Sequence, residues 1–114
     1  MKVNFNNIQY EIIEISQEEY KKYRKQEDKA TACEETDTTH GVFFGASHHY
    51  CNKIFIDKAL PIDRKRKTLI HELAHCYISE YITHEEKQYN EEDVADIVAN
   101  SYDIIENIIN DYFK

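Results

Sequence analysis

Apolar and polar positions alternate near the start of the chain and then take up helical spacing in its second half. In KVNFNNIQYEIIEI, apolar side chains recur at every second position on both sides of Asn6-Asn7. Such alternation is typical of a strand with one buried face, and a pair of asparagines suits a tight turn. The segment is therefore predicted to form one or two strands.

The middle of the chain contains two more predicted strands, GVFFGA from Gly41 and NKIFID from Asn52, which are rich in β-branched and aromatic residues. The residues between them, SHHYC, predict a hairpin turn in which His48 and His49 are solvated. Further upstream, residues 16–19 have the pattern of a capping box and predict a short polar helix that ends near residue 24. Residues 25–40 are charged and rich in threonine, which predicts a surface loop.

Two long amphipathic helices are predicted in the second half. Apolar residues recur three and four positions apart over residues 62–82 and again over residues 91–112. Pro61 favours a helix start because its missing N–H costs nothing there, and Asn90 is a good N-cap for the second helix. The isoleucine-rich tail, 104–109, is expected in the core, or else at a dimer contact.

Length and charge restrict the classes of protein and partner. A chain of 114 residues without a linker predicts one domain spanning 1–114. A net charge of −8 argues against nucleic acid as a direct partner. No apolar run approaches the ~20 residues that span a bilayer, and residues 1–16 lack the apolar core of a signal peptide. We therefore expect a cytoplasmic protein without a membrane partner.

The stretch HELAH, residues 71–75, lies in the middle of the first long helix. Residues four apart project from one face of a helix, so His71 and His75 can direct their imidazole nitrogens to one point. Zinc binds such nitrogens at ~2.0–2.1 Å. Glu72 lies beside that point, where it could take a proton from a water ligand, as in metalloproteases with an HExxH motif. The alternative, a chance pattern in an ordinary helix, is disfavoured by the mid-helix position.

A third ligand is predicted on the second long helix, because catalytic zinc usually has three protein ligands. Glu92 and Asp96 are four residues apart and share a helix face that is flanked by alanines. Glu92 is the predicted ligand, and Asp96 is predicted to accept the free ring N–H of a ligand histidine. One alternative is that residues 91–93 only stabilise the helix start through the helix dipole. His84 is a weaker alternative ligand.

The predicted reaction is hydrolysis of a peptide bond. Zinc held by two histidines and Glu92 would lower the pKa of a bound water, and Glu72 would transfer its proton to the leaving amine. A further donor to the tetrahedral oxyanion is normally required. The pattern leaves the choice open among the candidates His48, His49, Tyr50, Tyr77, His84, Tyr89 and Tyr102.

The runs TLIHELAHCY, residues 68–77, and EDVADIVA, residues 92–99, resemble the motifs of small gluzincin-type zinc metallopeptidases, in particular the ImmA/IrrE family of phages and other mobile elements. The resemblance implies the same roles for the two histidines, the base and the carboxylate ligand. It also implies an α+β fold: a small, mainly antiparallel sheet packed on the HExxH helix and a C-terminal ligand-bearing helix, a minimal zincin core. An edge strand, residues 41–46 or 53–57, would bind an extended peptide.

The expected function is that of a zinc-dependent endopeptidase that cleaves one specific protein partner, such as a repressor. This substrate class comes from the resemblance alone. The alternative is a catalytically silent, metallopeptidase-like binding or adaptor module of a mobile element, with a structural zinc. Glu72 favours catalysis, because a structural site has no need of it. The chain is expected to be a monomer or a weak homodimer.

Overall fold

The computed structural model describes residues 1–26, 34–39, 42–49, 51–82 and 89–114. The elements in chain order are β1 (Lys2–Phe5), β2 (Ile8–Ile15), α1 (Gln17–Gln26), β3 (Glu34–Thr39), β4 (Val42–His48), β5 (Lys53–Asp57), α2 (Ile62–Tyr81) and α3 (Glu91–Tyr112). The predicted α+β class is confirmed, and both long helices begin and end within one residue of their predicted bounds. Among the described residues, no helix has both the length and the apolar composition required to cross a bilayer.

Five strands form one sheet in the order β1-β2-β5-β4-β3. Neighbouring strands are antiparallel except β2 and β5, which are parallel. The predicted turn between β1 and β2 is confirmed, because Asn6 and Asn7 have φ angles of 51° and 67°. Asparagine tolerates this left-handed region better than most residues, and two such residues in succession suit the turn of a tight hairpin.

Strand β3 lies where the sequence predicted a surface loop, so that prediction is wrong for residues 34–39. The strand pairs antiparallel with β4 in a register that shifts between Asp37 and Thr38. Pairing through main-chain hydrogen bonds requires no alternating apolar side chains, and an edge strand is often polar. Residues 27–33 and 40, which belonged to the same predicted loop, lie outside the described residues.

The prediction that residues 41–46 or 53–57 form an edge strand is also wrong, because neither β4 nor β5 lies at an edge of the sheet. Strand β4 lies between β3 and β5, and β5 lies between β2 and β4. The edges of the described sheet are β1 and β3. The sequence could not reveal this order, since it depends on β3 and on the parallel pairing of β2 with β5.

Helices α2 and α3 cover one face of the sheet, and α1 covers the other. On one face, α2 buries Leu69, Leu73 and Cys76 completely against β1, β2 and β5, and α3 adds Ile105 and Ile109 to the same core. Cys76, which directly follows His75, is therefore a small buried hydrophobe of this core. Burial of a large aliphatic side chain contributes about 1.5–3 kcal/mol to stability. Apolar burial on this face therefore stabilises the packing of α2 against the sheet.

On the other face, α1 covers an aromatic cluster that contains His48. The prediction of a solvated turn at His48 is wrong, because β4 extends through this residue and directs its ring towards α1. Its side chain is buried, with Nε2 2.8 Å from the hydroxyl of Tyr20. The rings of Tyr23 and Phe55 surround it. His48 is therefore part of the core beneath α1.

Helix α3 begins at a capping box, in which the Asn90 side chain accepts from the Asp93 main chain and the Asp93 carboxylate accepts from the Asn90 N–H. This confirms Asn90 as the N-cap. The predicted apolar face of the helix is covered only in part. Ser101, Ile105 and Ile109 are buried, but Val94 and Val98 are 49 % and 60 % exposed.

Glu14 joins the sheet to both long helices. Its carboxylate lies 2.7 Å from Lys65 Nζ on α2 and accepts from the hydroxyl of Tyr112 on α3 at 2.6 Å. Burial acts to raise the pKa of Glu14, but the hydrogen bonds from Lys65 and Tyr112 outweigh burial and hold the pKa below its usual value. The ionised carboxylate is therefore favoured in the folded protein.

Glu14→Gln should lower the free energy of unfolding at pH 7 by about 1 kcal/mol, after allowance for the partial exposure of the pair. Because the folded pKa lies below the unfolded one, the stabilisation is complete above an unfolded value of ~4.3 and is lost as pH falls through the folded pKa. Urea unfolding between pH 7 and pH 3 measures this. The exposed Glu11→Gln is the control and should follow the wild type. If the free energy of unfolding fell with pH by the same amount in Glu14→Gln and in the wild type, the prediction would be contradicted.

Candidate metal centre

Helix α2 crosses directly over β4, and Gly45 permits the close approach. A Cβ atom at position 45 would lie 2.6 Å from Thr68 Cγ2 and 3.3 Å from Glu72 Cγ. Real Cβ atoms do not approach another carbon to 2.6 Å, so a larger residue would force Thr68 or the helix to shift. Glycine at this position therefore allows Thr68 and Glu72 to lie directly against β4.

His71 and His75 project side by side from the solvent side of α2. Their Nε2 atoms are 3.1 Å apart and their ring centroids 4.7 Å apart. His71 is exposed and His75 is half-buried. Two nitrogens that bind one tetrahedral zinc ion at ~2.0–2.1 Å lie about 3.4 Å apart. The spacing of the two imidazoles is thus close to what a shared metal ion requires.

Glu72 lies beside the histidine pair but is completely buried. The ligand atoms of His71, Glu72 and His75 all lie within 4.8 Å of one another. Ser47, also completely buried, donates from Oγ to Glu72 Oε1 at 3.1 Å, and the same Oγ lies 3.3 Å from the Glu72 main-chain oxygen. The hydroxyl of β4 therefore restrains the carboxylate next to the histidines.

Ser47 was not predicted from the sequence as part of the site. Alternation along β4 could have indicated it, because residues 45 and 47 share the face that packs against α2. A serine buried on such a face needs a hydrogen-bond partner. Which residue provides that partner depends on how α2 crosses the sheet.

The C-terminal end of α2 is held by the hairpin of β1 and β2. The main-chain N–H of Asn6 donates to the hydroxyl of Tyr81 at 2.8 Å, and Asn6 Nδ2 donates to the Glu80 carbonyl at 3.0 Å. The buried Tyr10 hydroxyl donates to Glu80 Oε1 at 2.7 Å. With Glu14 and Lys65 near its start, α2 is fixed at both ends, so the histidines lie on a rigid support.

Glu92 and Asp96 lie on the first two turns of α3, and both are exposed. Neither belongs to the group of described ligand atoms within 4.8 Å. Asp96 lines a small pocket with Tyr77 and Ile82, near the C-terminal end of α2 and beyond His75. The structure therefore brings His71, Glu72 and His75 together without bringing Glu92 or Asp96 to them. Their roles stay predictions.

The candidate oxyanion donors are dispersed over the structure. His48 faces α1, and the ring of Tyr77 is stacked on Tyr81. His49 Nδ1 lies 3.0 Å from the hydroxyl of Tyr10. Tyr89 is half-buried and Tyr102 is exposed on α3, whereas Tyr50 and the alternative ligand His84 lie outside the described residues. These contacts give His48, His49 and Tyr77 structural partners and leave the donor unassigned.

A family model matches most of the chain. The model of the IrrE N-terminal-like domain, peptidase M78, matches residues 30–109. This span is 80 of the 114 residues, and it includes HELAH and the predicted ligand on α3. No curated protein and no solved structure matches the chain.

Proposed function

The chain belongs to the family of IrrE N-terminal-like domains, the M78 peptidases, and from this membership we propose that it is a zinc-dependent endopeptidase acting on a specific protein partner. The observation that carries the proposal is the cluster of His71, Glu72 and His75 on a helix fixed at both ends. Membership of a peptidase family and the close spacing of the two imidazoles support the same chemistry.

The donor set suits zinc. Imidazole is a borderline ligand that suits zinc, and two imidazole nitrogens lie 3.1 Å apart in the cluster. When bound, zinc supplies Lewis acidity, which polarises a substrate carbonyl and lowers the pKa of a water ligand towards ~7. Neutral His71 and His75 would hold the ion through Nε2.

Glu72 is the proposed general base. It would accept the proton of the attacking water and then donate that proton to the leaving amine. Ser47 donates a hydrogen bond to Oε1, which positions one carboxylate oxygen beside the histidines. Orientation of this kind raises the fraction of encounters in which the proton can transfer.

We propose Glu92 as the third ligand, which would make the site gluzincin-type, and Asp96 as acceptor for the free ring N–H of a ligand histidine. Family resemblance supports this assignment. The first turns of α3 are exposed, so little packing would resist a shift of Glu92 towards the histidines. Metal binding would then connect α3 to α2.

Glu92→Gln should weaken zinc binding by at least about 100-fold, since loss of an outer partner alone costs about 10–100-fold. Competition with a chromophoric chelator measures the dissociation constant. The control is Glu91→Gln, which removes the same charge from the preceding residue. Unchanged affinity in Glu92→Gln, or an equal loss of affinity in Glu91→Gln, would contradict the assignment.

The proposed substrate is a regulator such as a repressor, encoded by the same phage or mobile element and cleaved in the cytoplasm. The test is incubation of the purified, zinc-loaded protein with the products of neighbouring genes, followed by mass spectrometry of new termini. One defined cleavage that a chelator stops and added zinc restores is expected. Cleavage that persists in the chelator would contradict zinc catalysis.

A further inference from the structure

The hydroxyl of Ser47 on β4 contacts the proposed base twice. Ser47 and Glu72 are both completely buried, and Ser47 Oγ lies 3.1 Å from Glu72 Oε1 and 3.3 Å from the Glu72 main-chain oxygen. A buried hydroxyl needs one acceptor, and the main-chain oxygen alone would satisfy that need. The contact with the carboxylate therefore goes beyond what the burial of Ser47 requires.

The main chain of Ser47 is held from both sides within the sheet. Residue 47 pairs with Glu35 of β3 and with Ile54 of β5. Gly45, two residues earlier on the same strand, lets α2 approach β4 closely. A serine side chain has one torsion angle between its main chain and its oxygen, with three staggered positions. Ser47 therefore presents its hydroxyl to α2 from a nearly fixed point.

Glu72 benefits from such a support because its carboxylate lies at the end of a flexible side chain. Glutamate is among the residues that lose most rotamer freedom when they are ordered. A hydrogen bond to an ionised carboxylate is stronger than one between neutral groups. The bond from Ser47 Oγ therefore favours the rotamers that keep the carboxylate against β4 and next to His71 and His75.

The second acceptor matters once the proposed base has taken a proton. In the proposed reaction, Glu72 is first a carboxylate and then a carboxylic acid. A hydroxyl has one proton, so Ser47 can donate a good hydrogen bond to only one of the two oxygens at a time. The carboxylate oxygen is the stronger acceptor in the first state. In the second state, the main-chain oxygen offers an acceptor that Oγ reaches by rotation of its proton alone.

We infer that Ser47 is a positioning residue of the proposed peptidase reaction. It holds the Glu72 carboxylate beside the histidines before proton transfer and retains an acceptor on the same residue afterwards. The inference rests on the proposed function, because it takes Glu72 as the base. Ser47 acts through Glu72 and is not itself a catalytic residue.

Ser47→Ala in the zinc-loaded full chain should lower kcat about tenfold, since partners that orient the groups of a metal site typically contribute 10–100-fold to activity. The substrate is the neighbouring-gene product that the wild type cleaves. KM and zinc affinity should stay at their wild-type values, because Ser47 contacts the base and not a proposed ligand. Ser101→Ala is the control: it removes the same hydroxyl from a buried serine of α3 and should leave kcat unchanged.

The same substitution in the Glu72→Gln chain separates positioning from packing. Glutamine can still accept from Ser47 Oγ but cannot take the proton, so no base remains to be positioned. Ser47→Ala should therefore change the residual rate by less than about twofold in this background. A tenfold loss in both backgrounds would assign Ser47 a packing role and overturn the inference.

NMR of protein containing isotope-labelled glutamate reports the contact without cleavage. The carboxyl carbon signal of Glu72, identified by its absence from Glu72→Gln, should move in Ser47→Ala and stay in place in Ser101→Ala. An unmoved signal in Ser47→Ala would overturn the inference whatever the cleavage assay shows. A signal that moves in a chain whose wild type cleaves no partner would instead overturn the proposed function and leave the contact between Ser47 and Glu72 established.

Discussion

Glu72→Gln is expected to lower the rate of peptide-bond hydrolysis by about 10³-fold, a typical contribution of a general base. Glutamine has the shape of glutamate but cannot accept the proton of the attacking water. Its side-chain oxygen can still accept the hydrogen bond from Ser47 Oγ. Because the side chain is completely buried and nearly isosteric, the fold and the positions of His71 and His75 should persist.

The rate of fragment formation from the cleaved partner measures this effect, and metal analysis measures zinc in the same preparation. Glu72→Gln should retain zinc close to the wild-type stoichiometry. Glu91→Gln, on the exposed first residue of α3, makes the same chemical change away from the cluster and should cleave at the wild-type rate. If Glu72→Gln cleaves as fast as wild type, Glu72 is not the base, and a metallopeptidase-like binding module with a structural zinc becomes the better interpretation.

His75→Ala should reduce zinc from about one ion per chain to well below one. The two Nε2 atoms, 3.1 Å apart, are the proposed pair of nitrogen ligands, and one imidazole with the proposed ligand Glu92 would form a poor zinc site. Zinc should also stop stabilising the fold. With free zinc 100-fold above its dissociation constant, the wild type gains about 2.7 kcal/mol of unfolding free energy, and the variant should gain almost none.

Metal analysis after dialysis measures the stoichiometry, and urea unfolding with and without zinc measures the stabilisation. His49→Ala is the matched control. It removes a half-buried imidazole that contacts Tyr10, so it should cost some stability and leave zinc binding intact. Retention of one zinc per chain by His75→Ala, or an equal loss in His49→Ala, would show that the metal lies elsewhere.

The elements that the sequence predicted correctly are those specified by local signals. Helix α2 follows from apolar residues three and four apart after Pro61, and α3 follows from the same spacing after Asn90. The turn at Asn6 and Asn7 needs two residues that tolerate positive φ, and the sequence places them there. Each signal lies within a few residues of the structure that it specifies.

The errors arose where contacts distant in sequence decide the outcome. Strand β3 has little apolar character and forms by main-chain pairing with β4. His48 looked like a turn residue, but the aromatic side chains of α1 enclose it. The order of strands in the sheet likewise depends on the parallel pairing of β2 with β5.

Within the candidate site, the same division applies. The sequence by itself determined the pairing of His71 with His75 and the adjacent Glu72, because a helical turn fixes the distance between residues four apart. Only the tertiary structure decided that Gly45 and Ser47 lie against Glu72. Those contacts depend on how a helix and a sheet pack together, and the spacing of residues along one chain does not encode that packing directly.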